Sequence, residues 1–490
     1  MKKHHSVDLK SIAWNTMRKY GFAPDFPPSV QKQVNDIHDE IQNINTTSTQ
    51  DLRTLLWSSI DNYDSMDLDQ LEYCEQGNNE EILVRVAIAD VDYYVRKQSP
   101  ADQHAAHNGT SIYTGVETFP MLPDQLSQDI TSLLPGEDRM VVVFEYSVLS
   151  DGTTRHGDVY RAVVTNKAKL IYEEVGEWLE GTGVIPQKLQ EDPGLAEQIL
   201  LQNEAALRLK KNRLKQGALV LETIEAEAVM EGGSVRDLVV QRQNMARCLI
   251  EEFMVAANRT IVNYLGDAKM PMIQRIVRIP KYWEGIVMTA AQYGESLPEE
   301  PDALALTAFL RRRREADPER FPDLSLTIVK LMGPGEYVAL FPGGIPVGHF
   351  ALAVTDYTHG TAPNRRYVDL IIQRLIKAVL DGKKSPYQRK ELTEKADWLS
   401  DCEKRSKKVE RFMHKAAAAV LLEQRIGETF DALVTGASGK GTYVRLISPP
   451  VEGRVMQGEY GLMVGQKVRV RLLMADPYKG YLDFACISRG

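Results

Sequence analysis

The chain has few cysteines and no close pair of them. Cys74, Cys248, Cys402 and Cys486 lie far apart with no CxxC spacing, which argues against a zinc site or a disulfide framework and suits a reducing compartment. It lacks any apolar run long enough to span a bilayer, and its opening, MKKHHSVDLKS, lacks the apolar stretch of a signal peptide. A cytoplasmic location with no membrane partner is therefore expected. It also lacks a basic excess: a net charge of -8 and a pI near 5.7 exclude a surface coated in cations to hold nucleic acid. That does not exclude RNA, because an enzyme binding metal through carboxylates concentrates negative charge at its centre, and phosphate binding then depends on local basic groups.

What is present is a chain of 490 residues, which predicts two or three domains with one large central unit. Leu9, Ile12, Ala13 and Met17 recur at helical spacing and stop at Gly21, and Val30, Val34, Ile37 and Ile41 repeat the pattern. Residues 1–50 thus read as a short helical N-terminal element closed by the polar linker NINTTSTQ, too short for a pair of β-barrels. Residues 51–385 mix strand runs such as ILVRVAIADVDYYV with helical stretches and show no internal boundary, the pattern of one α+β unit. Residues 386–427 read as a helical connection with Val409, Phe412, Met413, Ala416 and Val420 on one face. From 428 to 490 five short β runs between Gly-rich turns predict an all-β barrel of the OB type. There eight Lys or Arg stand against six Asp or Glu, and Phe430, Tyr443, Tyr478 and Tyr481 offer faces on which bases could stack.

The densest chemical signal is SSIDNYDSMDLDQLEY, which crowds Asp61, Asp64, Asp67 and Asp69 into nine residues. Carboxylates this close repel one another, and a loop that keeps them commonly does so around a hard cation such as Mg²⁺, Ca²⁺ or Mn²⁺. An EF-hand loop does not fit: Tyr63 or Leu71 falls on a ligand position and no register supplies the required glycine. A solvated acidic turn is the plain alternative.

This segment resembles the acidic signature of the RNase II (RNB) family, and further blocks follow in family order: VRVAIADVDYYV, GTSIYTGVETFPMLPDQLSQDITSLLPGEDR, NKAKLIYEEV, LIEEFMVAAN and YTHGTAPNRRYVDLIIQRLI. The tail from Glu428 is similar to an S1-type OB domain. The resemblance implies a 3′-to-5′ exoribonuclease acting on single-stranded RNA and releasing nucleoside 5′-monophosphates, with Mg²⁺, or Mn²⁺ in its place; a monomer is expected. It implies that Asp61, Asp67 and Asp69 bind metal, with Asp69 most directly tied to catalysis. It further implies that Tyr113 and Tyr172 contact the last nucleotides, that Glu251 contacts the substrate near its 3′ end and that Arg365 grips the scissile phosphate. Tyr443 is the barrel position expected to bind RNA.

Each residue has a structural alternative. Tyr113 and Tyr172 could be core tyrosines, Glu251 a partner for a cation one turn away on its helix, and either Arg365 or Arg366 a purely structural arginine. The run Arg311 to Arg314 reads as a solvated helix face, and His349 and His359 have no metal-ligand partners at useful spacing. Departures from the family pattern matter as well. Gln70 stands where a fourth aspartate is expected, TAPNRRY replaces TSPIRRY, Leu221 takes the place of an aromatic, and about fifty residues replace the paired cold-shock barrels. Gln70 favours a catalytically impaired RNA-binding relative as the rival reading. A nuclease of mixed RNA and DNA specificity is the other.

Overall fold

A computed structural model describes residues 7–40, 49–222, 226–231, 234–240, 243–438 and 441–489. Most of NINTTSTQ, and Ile41, lie outside them. The N-terminal pattern folds as two helices, α1 (Leu9–Lys19) and α2 (Pro28–Glu40). Asp8 caps α1 by accepting the Ser11 N–H. Leu9, Ile12, Ala13 and Met17 then face one apolar cluster, while Val30 and Val34 of α2 join the main core.

The centre is a seven-stranded mixed sheet of β1 (Gln50–Asp51), β2 (Ser58–Asp61), β3 (Gln70–Gln76), β4 (Ile82–Ala89), β5 (Asp138–Val148), β6 (Thr154–Thr165) and β7 (Ala168–Ile171), in the order β1-β6-β5-β4-β3-β2-β7. The antiparallel registers align Glu72 with Val86 and Phe144, and Cys74 with Val84 and Tyr146. Because side chains alternate across a strand, these rows share one face. Helices α3 (Tyr172–Leu179), α4 (Pro193–Lys215) and α5 (Met245–Asp267) pack there: α4 lies on β3, and the Tyr146 hydroxyl points to the Phe253 carbonyl of α5. Where α3 meets the start of α5, a side chain at position 176 would collide with Asn244, so glycine is required for the approach. Asn244 caps α5, accepting the Arg247 N–H at 2.9 Å.

Helix α6 (Ala303–Ala316) carries the four-arginine run. As expected it is a solvated face: Arg311, Arg312 and Arg314 are exposed, with Arg312 paired to Glu295 and Arg314 to Glu222, and only Arg313 is half-buried, over the Tyr293 ring. Helix α7 (Tyr367–Leu380) is buried almost all round. It tolerates Arg374 inside because Asp92 and Asp102 lie 2.8 and 2.7 Å from the guanidinium.

Helix α8 (Arg389–Leu422) connects the central unit to a closed barrel of β8 (Thr429–Ser438), β9 (Gly441–Leu446), β10 (Glu452–Gln457), β11 (Lys467–Asp476) and β12 (Tyr481–Arg489), in the order β8-β9-β10-β12-β11. Val409 and Met413 of α8 receive α1, and Ala418, Ala419 and Leu422 enter the barrel core. One expectation changes here. Phe430 is only 5% exposed, in register with inward Ala432 and Val434 and beneath the Arg425 guanidinium, so alternation makes it core rather than a stacking platform. Tyr443 is half-buried, and Tyr478 and Tyr481 are exposed.

Candidate active site

Asp61 ends β2 and Asp69 immediately precedes β3, so the two-stranded ladder brings the ends of the acidic loop together. The loop between them is pinned by groups far away in sequence. Lys169 Nζ donates to the carbonyls of Tyr63 and Ser65 at 2.8 and 2.5 Å. Ser132 Oγ accepts the Leu68 N–H and donates to the Met66 carbonyl. These bonds fix a loop whose like charges would otherwise drive it apart.

Within this frame Asp67 accepts hydrogen bonds from Ser65 Oγ at 3.2 Å and from the Tyr113 hydroxyl at 3.1 Å. Asp69 Oδ1 accepts the Asn364 N–H at 3.0 Å, and the Arg365 Nε lies 3.5 Å from Asp69 Oδ2. That separation leaves Oδ2 buried without a hydrogen-bond partner. Burial pushes the Asp69 carboxyl up to about 8, against the pull of Arg365 and with the help of Asp67. Burial also raises Asp61, opposed by its hydrogen bond from the Asn62 N–H and assisted by Asp67. As they lie, no three His, Cys, Asp or Glu side chains among the described residues stand close enough to hold an ion. The donor set still fits a hard cation: it is all oxygen, its members disfavour one another's charge, and one oxygen is orphaned.

Packing distinguishes the two adjacent arginines. Arg366 makes bidentate hydrogen bonds of 2.8 and 2.7 Å to Asp369, which is wholly buried. Arg365 keeps 45% of its side chain exposed and faces Asp69. Its main chain is held in place by Ser111 N–H and Thr110 Oγ1 on its carbonyl. Tyr113 is 42% exposed and is not a core residue. Tyr172 starts α3, with the Arg247 guanidinium 4.3 Å from its ring centre. Arg247 also donates to Asn62 Oδ1 at 3.0 Å, bringing α5 beside Asp61.

Glu251 and Tyr443 are not gathered with the carboxylates. Glu251 does pair with an arginine, but the partner is Arg213 on α4, at 3.1 Å, not a cation on its own helix. It lines a cavity of about 430 Å³ with Arg213, Asn244 and Leu221. Tyr443 sits in the barrel.

Sequence reasoning passed over Lys169, Ser132, Asn364, Arg247 and Glu72. Glu72 is fully buried with neither carboxylate oxygen partnered, and burial, then Asp61, raises it well above the usual range. A signal existed, since Glu72 lies two residues beyond Gln70 on the same strand face.

An acidic loop thus faces an exposed arginine and a tyrosine at the edge of a mixed sheet, with a small closed barrel attached. The RNB domain family matches residues 49–382, and the RNase II-type exonuclease C-terminal S1 domain family matches residues 428–486. The chain belongs to the RNB family of ribonucleases. It is 29% identical to Ribonuclease R of Thermotoga maritima, over 99% of this chain and 71% of that one. It is 30% identical to Ribonuclease R of Escherichia coli, over 94% of this chain but only 60% of that one. The structure of Mycoplasma genitalium RNase R in complex with ribose methylated single-stranded RNA superposes with a TM-score of 0.86 at 23% identity, covering 98% of this chain and 78% of that one. No helix among the described residues is long and apolar enough to cross a membrane.

Proposed function

We propose that the chain is a cytoplasmic, metal-dependent 3′-to-5′ exoribonuclease that shortens single-stranded RNA and releases nucleoside 5′-monophosphates. The observation that carries this reading is that Arg365, some 300 residues away in sequence, lies 3.5 Å from Asp69, and that Arg365 and Asp67 are both near enough to Asp61 and Asp69 to act on their carboxyl groups. Residues 51–385 form the catalytic unit and 428–490 the RNA-anchoring barrel. Arg365 holds the scissile phosphate through its fork of N–H donors. Tyr113 and Tyr172 stack on the terminal bases, with Tyr113 also orienting Asp67 through its hydroxyl. Asp61, Asp67 and Asp69 would hold Mg²⁺, or Mn²⁺ in its place, which would supply charge neutralisation and activation of water.

The deciding experiment is a time course on end-labelled RNA and DNA of one sequence, with Mg²⁺ or EDTA. Stepwise shortening from the 3′ end of RNA alone, abolished by EDTA, is the expected result. No shortening at all would favour the rival that Gln70 raises, a member that binds RNA without cutting it.

Two further outcomes are expected. Gln70→Asp lowers the Mg²⁺ concentration for half-maximal cleavage, because a carboxylate at this nearly buried position adds attraction for a hard cation; an unchanged or higher requirement would mean that position 70 faces away from the metal. Tyr443→Ala weakens binding of long RNA by roughly 1 to 3 kcal/mol if its ring carries one stacked base, measured by anisotropy in EDTA. Affinity equal to wild type removes Tyr443 from the RNA path. A point change is the better test than cutting off the barrel, since truncation would bare Ala418, Ala419 and Leu422.

A further inference from the structure

Two cavities meet between α4, α5 and α6. The inner one, of about 430 Å³, contains Glu251. The outer one, of about 890 Å³, opens between α4 and α6. They share Leu207, Lys210, Leu214, Val220 and Arg314 as walls, so the two lie side by side. At the junction Arg314 pairs with Glu222 at 2.6 Å. The inner end adjoins the carboxylate site through Arg247, one helical turn before Glu251 on α5 and bonded to Asn62 beside Asp61.

The outer groove has two kinds of surface. Its floor is apolar, formed by Leu207, Leu214, Leu304 and Phe321, of which Leu207 and Leu304 are 45% and 55% exposed. Its rim is cationic: Lys211, Lys215 and Arg311 stand there against Glu315, whereas Lys210 turns its ammonium to Cys248 Sγ in the inner cavity and Arg314 is paired with Glu222. Among the described residues neither Lys211 nor Arg311 has a carboxylate within ion-pair distance, although the chain carries eight more acidic than basic groups. Arg312, adjacent in sequence, points elsewhere and pairs with Glu295.

We propose that this groove receives the nucleoside 5′-monophosphate leaving the active site, with its base on the leucine floor and its phosphate at Lys211, Lys215 and Arg311. The assignment rests on the exoribonuclease reading above and adds to it a product site. An apolar floor beside Lys211 and Arg311, which have no carboxylate partner among the described residues, matches a ligand with one flat apolar end and one end of about two negative charges. The volume lies within the range of small-molecule sites, roughly 300 to 1,000 Å³. A groove whose wall is shared with the cavity at Glu251 suits a nucleotide released nearby better than an acidic peptide, whose length would not be matched by a pocket of this size.

The test is titration of the full-length, RNA-free protein with adenosine 5′-monophosphate in EDTA, so that a metal-held phosphate does not contribute. The double variant K211E/R311E should bind it at least tenfold more weakly than wild type. Adenosine, which lacks the phosphate, should bind the two proteins alike. R312E makes a charge change of the same kind on the same helix away from the groove, and should leave nucleotide affinity within about twofold. Thermal midpoints verify that all variants are folded. The proposal is overturned if wild type shows no binding at millimolar nucleotide, if K211E/R311E binds as wild type does, or if R312E weakens binding as much. Trimming of end-labelled RNA by wild type with Mg²⁺ is followed in parallel. Charge-sensitive nucleotide binding without trimming defeats the exoribonuclease reading and keeps the groove as a nucleotide site. Trimming with charge-insensitive binding defeats the groove alone.

Discussion

Asp69→Asn is expected to lower RNA cleavage by a factor of at least 10² to 10³, roughly the cost of removing one preorganised group that acts on transition-state charge, while RNA binding survives. The same change should leave the metal-free protein no less stable, and more stable as pH rises. Asn keeps the acceptor for the Asn364 N–H but has no charge to bury at a position that is 2% exposed. The sign follows from linkage. The Asp69 carboxyl titrates near 8 in the folded, metal-free chain, burial being the main cause, against 3.8 without the fold. Between these values the unfolded chain has released a proton that the folded chain retains, so this group stabilises the fold fully below about pH 4 and loses that contribution as pH rises to about 8. Wild type in EDTA should therefore lose thermal stability from pH 5 to 8 more steeply than Asp69→Asn. Subtracting the two isolates Asp69 from Asp61 and Glu72, which are raised in the same direction. A divalent cation must displace that proton, so stabilisation of wild type by Mg²⁺ should grow with pH over the same interval. A variant that cleaves RNA at near wild-type rate, or parallel stability curves, would refute the assignment of Asp69.

The adjacent arginines should fail in opposite ways. Arg365→Ala is expected to cost about 10² to 10³ in cleavage with little change in thermal midpoint, because its side chain is 45% exposed and its weak ion pair to Asp69 is 3.5 Å long. Arg365→Lys should recover only part of the loss, since a point charge does not reproduce two parallel N–H donors. Arg366→Ala is expected to destabilise by roughly 3 to 5 kcal/mol, the usual cost of stranding one member of a buried pair, as Asp369 would keep only its bond from the Ala362 N–H. Unfolding in urea, with cleavage rates measured where each variant is folded, separates the two. Equal stability of both variants would mean that Arg366 is not the structural partner.

The α+β core, the terminal barrel and the acidic loop were legible in sequence because each is a local pattern: alternation in ILVRVAIA, short runs between glycines from 428 onward, and four aspartates in nine residues. Phe430 was misjudged because aromatic content does not reveal which strand face a ring occupies. Only registration against Ala432 and Val434 puts it inside. Likewise RR in TAPNRRY names two equivalent guanidiniums. What separates them is Asp369 one turn on, reached by Arg366, and Asp69, held across the fold by Asn364.

The sequence by itself determined which elements form and where acidic side chains crowd together, because helix and strand periods and side-chain acidity are properties of neighbours in the chain. The tertiary structure alone decided which carboxyl groups burial pushes toward the neutral form and which arginine stays exposed. Burial and the approach of groups such as Lys169, Ser132, Asn364 and Arg365 to the acidic loop come from parts of the chain 60 to 300 residues away, and electrostatic energies depend on that distance and dielectric rather than on position in the sequence.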